Sequence, residues 1–188
     1  MKKLVILASG SGSNAENIIT YFKDRDVVQV TCVLTNKASA GVLKRCQRLA
    51  MPAFYFNRHA YDNGQLLKFL ASQEIDFIIL AGFLWKISED IVNAYPNKIV
   101  NIHPALLPKY GGKGMYGSHV HEAVKANNET ETGITIHFVN ENYDEGNIIF
   151  QARTKISMED TAETIAEKVH ALEYEHYPKI IEKLLGNG

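Results

Sequence analysis

The chain has 188 residues and a formal net charge of −1, with 46% hydrophobic and 22% charged residues. This length fits one globular domain, which we place at residues 1–188. The near-zero charge and the scattered lysines and arginines argue against a nucleic-acid partner. No apolar stretch is long enough to span a membrane, and the apolar start is too short for a signal peptide.

The two cysteines, Cys32 and Cys46, lie in apolar runs and do not form a C-x-x-C pair. We therefore expect buried free thiols in a reducing compartment, which predicts a cytoplasmic protein. Neither a redox nor a metal-binding role is expected for them.

Predicted strands and helices alternate through the first half of the chain. Apolar runs predict strands at 4–8, 27–34, 53–56, 77–80 and 98–102. Helical spacing of apolar residues predicts helices at 14–22, 40–50 and 64–72. Strands that are apolar on both faces and separated by helices indicate a parallel sheet covered on both sides.

The pattern changes after residue 102. A glycine-rich loop at 107–117 precedes a predicted helix at 119–126, and two strands at 135–139 and 148–152 flank an acidic loop. A last helical pattern covers 161–185, and we expect Pro178 to kink or restart it. The fold class is therefore α/β: a mostly parallel, Rossmann-like sheet with helices on both faces and an antiparallel C-terminal extension.

The turn Gly10-Ser-Gly-Ser-Asn-Ala15 joins the first predicted strand to the first helix. Such a turn lets backbone N–H groups approach an anion at a helix N-terminus. An NAD site would need an acid after the second strand, and Thr35-Asn36 stand there instead. We expect a phosphate monoester as the ligand; the alternative is that Ser13 or Asn14 only caps the helix.

Three polar residues suit a reaction in which a carbonyl oxygen gains negative charge. Asn101 and His103 end an apolar run with strand spacing, so their side chains point the same way, and Asp144 lies in the acidic loop. An amide and an imidazole stabilise an oxyanion, and a carboxylate beside the imidazole raises its pKa. Each residue also has an ordinary structural interpretation, as a turn former, a core histidine or a solvated acid.

Other histidines lie near these groups in the chain. His137 alternates with apolar neighbours on a predicted strand, and we expect it to face inward as a hydrogen-bond partner close to Asp144. His119, His121 and Glu122 form H-x-H-E, which lacks the spacing of H-E-x-x-H. We expect no metal site there.

Motifs spread over most of the chain resemble those of the folate-dependent phosphoribosylglycinamide (GAR) formyltransferase family. The matching segments include Ala8-Ser-Gly-Ser-Gly-Ser-Asn14, Leu80-Ala-Gly-Phe-Leu84, Asn101-Ile-His-Pro-Ala-Leu-Leu-Pro108, Thr135-Ile-His-Phe-Val139, Asp144-Glu-Gly146 and Tyr177-Pro178. The resemblance implies transfer of a formyl group from 10-formyltetrahydrofolate, as cosubstrate, to the amine of GAR in purine (IMP) synthesis. Attack would be direct, through a tetrahedral intermediate.

The resemblance also implies roles for individual residues. The catalytic residues would be Asn101, His103 and Asp144. The residues that bind GAR would be Gly12, Ser13, Asn14, His170 and Glu173. The residues that bind folate would be Arg58, Phe83, Leu84, Trp85, Lys86, Ile87, Val139 and Asp144. At Trp85-Lys86 the chain departs from the family, which carries an arginine there.

The resemblance implies two small-molecule substrates for a protein that is a monomer or a homodimer. Formylation of another amine, such as that of a nucleotide sugar, is an alternative, although such enzymes usually carry an extra C-terminal domain. A non-catalytic Rossmann-type nucleotide-binding module is a second alternative. That module would need the acid after the second strand and would not need Asn101, His103 and Asp144 together.

Overall fold

A computed structural model describes residues 1–142 and 144–186 of the chain. Its strands are β1 (Lys2–Leu7), β2 (Val28–Thr35), β3 (Ala53–Tyr55), β4 (Phe77–Leu80), β5 (Ile99–His103), β6 (Glu131–Phe138) and β7 (Ile148–Lys155). They form a sheet in the order β3-β2-β1-β4-β5-β6-β7. The pairs from β3 to β5 are parallel, and β6 and β7 continue the sheet antiparallel. The predicted fold class is confirmed.

The helices are α1 (Ser13–Phe22), α2 (Gly41–Arg48), α3 (Arg58–Asp62), α4 (Gln65–Ser72), α5 (Glu89–Ala94), α6 (Ser118–Ala126) and α7 (Ala162–Gly186). Helices α3 and α5 were not predicted, because 5 and 6 residues are too few to show a helical period. Among the described residues, no helix is both long and apolar enough to cross a membrane.

The sheet separates two apolar cores. Leu4 and Ile6 of β1 pack with α1, α2 and α7 on one face, whereas Val5 and Leu7 pack with α3, α4 and α5 on the other. Alternate residues of one strand thus enter different cores, as expected for a sheet buried on both faces. Cys32 and Cys46 are buried free thiols, as predicted.

Helix α7 crosses the sheet as one element of 25 residues with Pro178 inside it. Of the two expectations for Pro178, a kink or a restart, the restart was wrong, because α7 is continuous through this residue. The fully buried hydroxyl of Tyr177 lies 2.9 Å from the carbonyl oxygen of Leu80 and 3.1 Å from that of Val100. These contacts attach α7 to β4 and β5.

The loops after β1, β4 and β5 leave the sheet at its carboxyl edge. Open α/β sheets bind ligands at this edge, because the loops there diverge and leave a crevice. Asn101 and His103 belong to β5 itself, so a rigid central strand sets their positions.

Candidate active site

A cleft of about 720 Å³ opens at this carboxyl edge. Its walls come from the loops after β1, β4 and β5, from the start of α6 and from one side of α7. Fourteen predicted site residues line it: Ser13, Asn14, Phe83, Leu84, Trp85, Lys86, Ile87, Asn101, His103, His137, Val139, Asp144, His170 and Glu173. Gly12 and Arg58 are not among the described residues that line the cleft.

His103 is almost fully buried, with 3% of its surface exposed. Its Nε2 lies 2.7 Å from the backbone carbonyl oxygen of Tyr110. Because a carbonyl only accepts, Nε2 carries a proton and donates it there. The other ring nitrogen, Nδ1, lies 3.6 Å from Oδ2 of Asp144. A single backbone contact therefore determines which nitrogen of the imidazole faces the acid.

Asp144 stands between two histidines. Its Oδ2 accepts a hydrogen bond from the backbone N–H of Gly112 at 2.9 Å, and its Oδ1 lies 3.6 Å from Nε2 of His137. Burial raises the pKa of the Asp144 carboxyl, but the contacts with His137, His103 and the Gly112 N–H together lower it more. The net pKa lies below its ordinary value, so the group is a carboxylate at neutral pH.

The pKa of His103 is also lowered. Burial is the largest cause, and it outweighs the opposing effects of the Asp144 charge and the Tyr110 carbonyl, while His137 lowers the pKa further. The sequence predicted that Asp144 would hold this ring charged. Asp144 does raise the pKa of His103, but burial of the ring lowers it by more, so the net pKa is lowered.

Asn101 faces His137 across the antiparallel pair of β5 and β6. Nδ1 of His137 lies 2.8 Å from the carbonyl oxygen of Phe138, and its Nε2 lies 3.1 Å from Nδ2 of Asn101. In the neutral ring Nδ1–H donates to that carbonyl, so Nε2 accepts one N–H of the Asn101 amide. The second amide N–H is left for a ligand in the cleft.

The chain after His103 is held by side chains of the antiparallel strands. The hydroxyl of Thr135 donates to the carbonyl of Ala105 at 2.7 Å and accepts from the N–H of Leu107 at 3.0 Å. The amide of Gln151 donates to the same hydroxyl at 2.9 Å. Since these groups are buried or half-buried, the turn that follows the imidazole is fixed.

The glycine-rich turn forms one end of the cleft. Gly12 precedes α1 with φ of 78°, and a Cβ there would lie 2.3 Å from a methyl group of Val42. Gly12 thus allows the turn to pack closely against α2, which leaves Ser13 and Asn14 facing the cleft. Lys37, in the turn between β2 and α2, lines the same cleft. The N-terminus of α1 and this lysine offer positive potential to an anion.

Helix α7 contributes two predicted residues to this end. Glu173 is 6% exposed, and its Oε2 accepts a hydrogen bond from Nδ2 of Asn14 at 2.9 Å. Burial raises the pKa of Glu173 despite the lowering effects of Asn14 and His170. The ring of His170 lies edge-on to that of His121, with centroids 6.4 Å apart. The turn and α7 therefore present an amide, a carboxyl group and an imidazole to one ligand, and His121 of α6 adds a second imidazole.

Aromatic side chains form the opposite wall. Trp85 packs edge-on against Tyr61 and Phe83, with ring centroids 5.4 and 6.3 Å apart. The guanidinium of Arg58 lies 4.9 Å from the centroid of the Trp85 ring and pairs with Asp62. This arrangement places Arg58 beside the aromatic wall. The apolar ring surfaces and Val139 suit a flat heterocyclic ligand.

Sequence reasoning missed several groups that build the site. The backbone carbonyl of Tyr110 and the N–H of Gly112 leave no signature in the side-chain pattern, because every residue other than proline carries both groups. Cleft residues Ser9, Lys37, Glu163 and Asn142 were not predicted. Lys37 directly follows Thr35-Asn36, and a positive charge at the end of a strand without an acid is the signal in the sequence for an anion site.

For His121 the sequence favours a role at the helix start or as a partner of site residues over a role as a metal ligand. His121 lines the cleft, is 4% exposed, and its buried Nδ1 meets no hydrogen-bond partner among the described residues. Burial, His170 and His103 lower its pKa to about 4. No group of three or more His, Cys, Asp or Glu residues in 1–142 and 144–186 could hold a metal ion.

Comparisons with known proteins agree with this geometry. The sequence profile of the family described as "Formyl transferase" matches residues 2–181. A phosphoribosylglycinamide formyltransferase of Bacillus subtilis (strain 168) is 36% identical over 192 residues, which cover 99% of this chain and 96% of that protein.

Solved structures give the same result. The crystal structure of phosphoribosylglycinamide formyltransferase from Bacillus halodurans matches with a TM-score of 0.89 and 36% identity, covering 98% of this chain and 95% of its own. The crystal structure of glycinamide ribonucleotide transformylase 1 from Geobacillus kaustophilus matches with a TM-score of 0.90 and 34% identity. The match covers 98% of this chain and 99% of that one. The chain therefore belongs to the formyl transferase family, among the phosphoribosylglycinamide formyltransferases.

Proposed function

We propose that this protein transfers the formyl group of 10-formyltetrahydrofolate to the primary amine of GAR, in the synthesis of purines. The observation that carries the proposal is the contact of Asp144 with His103 beside Asn101. Asp144 Oδ2 lies 3.6 Å from the one imidazole nitrogen that is free to face a ligand. The family membership supports GAR as the formyl acceptor and a folate-derived molecule as the formyl donor.

The cleft suits two ligands that meet at its centre. Binding sites for small molecules usually measure about 300–1,000 Å³, and this cleft of about 720 Å³ lies toward the upper end of that range. The phosphate of GAR would bind at Gly12, Ser13 and Asn14, with Lys37 supplying a positive charge. Glu173 and His170 would hold the rest of GAR toward the reacting amine.

The folate rings would lie along the wall formed by residues 83–87 and Val139. This wall fits the group, because the ring surfaces of Phe83 and Trp85 and the side chain of Val139 line the cleft there. When bound, the folate supplies the activated formyl group. Arg58 remains a predicted folate contact at the edge of the aromatic wall, beside Trp85.

Asn101 and His103 would stabilise the negative charge that develops on the formyl oxygen when the amine attacks the formyl carbon. Asn101 has one amide N–H held by His137 and one directed to the ligand. A donor held in place before the reaction needs no reorganisation as charge develops. His137 acts by orienting this amide.

Because its pKa is lowered, His103 would also act as the base that accepts a proton from the attacking amine. At rest the ring is neutral, with its proton on Nε2 held by Tyr110 and a lone pair on Nδ1. A proton released by the attacking amine would bind Nδ1, and the resulting imidazolium would donate to the charged oxygen. The Asp144 carboxylate stabilises this cation. The imidazolium would then give its Nδ1 proton to the folate nitrogen as the bond between that nitrogen and the formyl carbon breaks.

The remaining expectations form part of the proposal. We place one catalytic domain at residues 1–188, supported by the family match to residues 2–181. The enzyme would work in the cytoplasm as a monomer or homodimer, without a metal ion and without nucleic acid or membrane partners. Its chemistry would need only the two small molecules and the side chains described above.

The direct test is a turnover assay with purified protein, GAR and 10-formyl-folate, following the absorbance of the deformylated folate. Saturable turnover that requires GAR supports the proposal. Deformylation at the same rate without GAR, or only with an amino sugar nucleotide as acceptor, would overturn it. Omitting GAR and replacing it by a nucleotide sugar amine are the two controls.

A further inference from the structure

Pro178 leaves one carbonyl group of α7 without its helical donor. In an α-helix the N–H of residue i donates to the carbonyl of residue i−4, and proline has no N–H. The carbonyl of Tyr174 is therefore released inside a helix that continues for two further turns. This group needs another donor, which must come from outside α7 or from water.

Asn17 of α1 supplies that donor. Its Nδ2 lies 3.0 Å from the carbonyl oxygen of Tyr174. One turn earlier on the same face of α1, Nδ2 of Asn14 donates to Glu173 at 2.9 Å. Two side-chain amides of α1 thus contact consecutive residues of α7, one at the carboxyl group in the cleft and the other at the backbone behind it.

Tyr174 also connects this contact to the cleft. Its ring stacks on that of His170, with centroids 6.3 Å apart and an interplanar angle of 21°. Farther along, the hydroxyl of Tyr21 donates to Glu182 at 2.6 Å, which extends the attachment between the two helices. The register of α1 against α7 is therefore specified at several points, and the Asn17 contact is the one that depends on Pro178.

We infer that Asn17 is a positioning residue for GAR. Its contact with the Tyr174 carbonyl fixes the distance between the phosphate-binding turn, at the start of α1, and Glu173 with His170 on α7. GAR must contact both helices at once, so a loss of register weakens its binding. This inference rests on the proposed function. It adds that Pro178 leaves the Tyr174 carbonyl free to accept the hydrogen bond from Asn17 that holds the two sides of the GAR site in register.

The test compares Asn17→Leu with the unaltered protein. Leucine keeps the approximate shape but cannot donate a hydrogen bond. From the usual contribution of one hydrogen bond, we expect the KM for GAR to rise roughly threefold to tenfold. The kcat and the KM for the folate should stay unchanged, because β5 and the aromatic wall do not depend on this contact. A conservative Asn17→Gln variant, which keeps the donor, should recover part of the loss.

Asn127→Leu is the matched control. The amide of Asn127 donates to the carbonyl of Ala123 at 2.8 Å, at the end of α6 and away from the cleft. This variant should leave both KM values unchanged. An unchanged KM for GAR in Asn17→Leu, or an equal rise of both KM values, would overturn the inference, since either result assigns Asn17 to general stability.

A double-variant experiment tests the part played by Pro178. In Pro178→Ala the restored N–H competes for the Tyr174 carbonyl, so adding Asn17→Leu should raise the KM for GAR by a smaller factor than it does alone. If the KM for GAR of the double variant rises by the product of the two single-variant factors, Asn17 and Pro178 act independently. That result would overturn the part assigned to Pro178. Absence of GAR turnover in the unaltered protein would instead refute the proposed function, and the two failures are thereby distinguished.

Discussion

The backbone carbonyl of Tyr110 lies 2.7 Å from Nε2 of His103 and determines which nitrogen of the imidazole meets Asp144. Tyr110 has φ of 57°, and its hydroxyl donates to Glu129 at 2.9 Å, so the residue is held in a backbone conformation that few side chains adopt. The pKa of its hydroxyl is raised to about 12 by burial and by Glu129. A tyrosine remote from the reacting atoms therefore sets the tautomer of the imidazole through its main chain.

Removal of the Asp144 charge should abolish most turnover. In Asp144→Asn the imidazolium formed during the reaction loses its carboxylate partner, and we expect kcat to fall roughly 10²- to 10³-fold, by analogy with the loss of one oxyanion-stabilising group. The affinity for GAR should be retained, because the proposed phosphate site, at Ser13 and Asn14, lies at the other end of the cleft. Steady-state kinetics and calorimetric titration with GAR measure the two effects; near-normal kcat would contradict the assignment.

Loss of the polar side chains at the glycine-rich turn should affect one substrate only. The double variant Ser13→Ala/Asn14→Ala should raise the KM for GAR roughly tenfold or more, since hydrogen bonds to a charged group contribute about 1.5–3 kcal/mol. The KM for the folate should not change. Ser72→Ala is a suitable control, because the Ser72 hydroxyl donates to the carbonyl of Phe69 at the end of α4, and Ser72 does not line the cleft. Equal changes in both KM values would argue against a phosphate site.

The fold was largely predictable, because strands apolar on both faces have a clear signature. The predicted strand at residues 77–80 coincides with β4, and the helix predicted at 64–72 with α4. The first part of β6 was missed: Glu131, Thr132 and Gly133 are not an apolar run, and pairing with β7 makes them a strand. Tertiary pairing, absent from the local pattern, decided that segment.

The candidate site was predictable where side chains carry the chemistry. The sequence brought together Asn101, His103 and Asp144, and the structure places them at one cleft. The sequence could not show the sign of the net pKa change at His103, because that sign depends on the depth of burial. Nor could it show that the Tyr174 carbonyl, left without a helical donor by Pro178, would find a donor on α1, since that depends on how the two helices pack.

The only tryptophan of the sequence offers a binding signal for the folate. Trp85 is half-buried in the aromatic wall of the cleft. A folate bound along this wall should change its fluorescence emission, whereas GAR, bound at the glycine-rich turn, should not. Titration of each ligand separately, with Trp85→Phe as the blank, measures the difference. A larger response to GAR than to folate would contradict the placement of the two ligands.

Acid should destabilise the protein through His121. Its folded-state pKa of about 4 lies below its ordinary value of 6.5, so the unfolded chain takes up the proton first. The stabilising contribution of the neutral ring is complete above about pH 6.5 and is lost as the pH falls toward about 4. Burial of His103 lowers its pKa too and acts in the same direction.

Urea unfolding near pH 7 and near pH 5 tests this dependence. In His121→Gln the residue at position 121 no longer titrates, so the difference in unfolding free energy between the two pH values should be smaller than in the unaltered protein. His59→Gln is a comparison variant at an exposed position, and its difference should match that of the unaltered protein. An identical pH dependence in His121→Gln would show that this ring is not the group responsible.

A crystal structure with GAR and an unreactive 10-formyl-folate analogue tests the central claim most directly. The account predicts that the oxygen corresponding to the formyl oxygen lies about 2.7–3.1 Å from Nδ2 of Asn101, and that the amine of GAR lies beside the unprotonated Nδ1 of His103. Asp144 should remain beside the same imidazole nitrogen. An oxygen beyond the reach of the Asn101 amide, with the amine of GAR directed away from the formyl carbon and from His103, would contradict it.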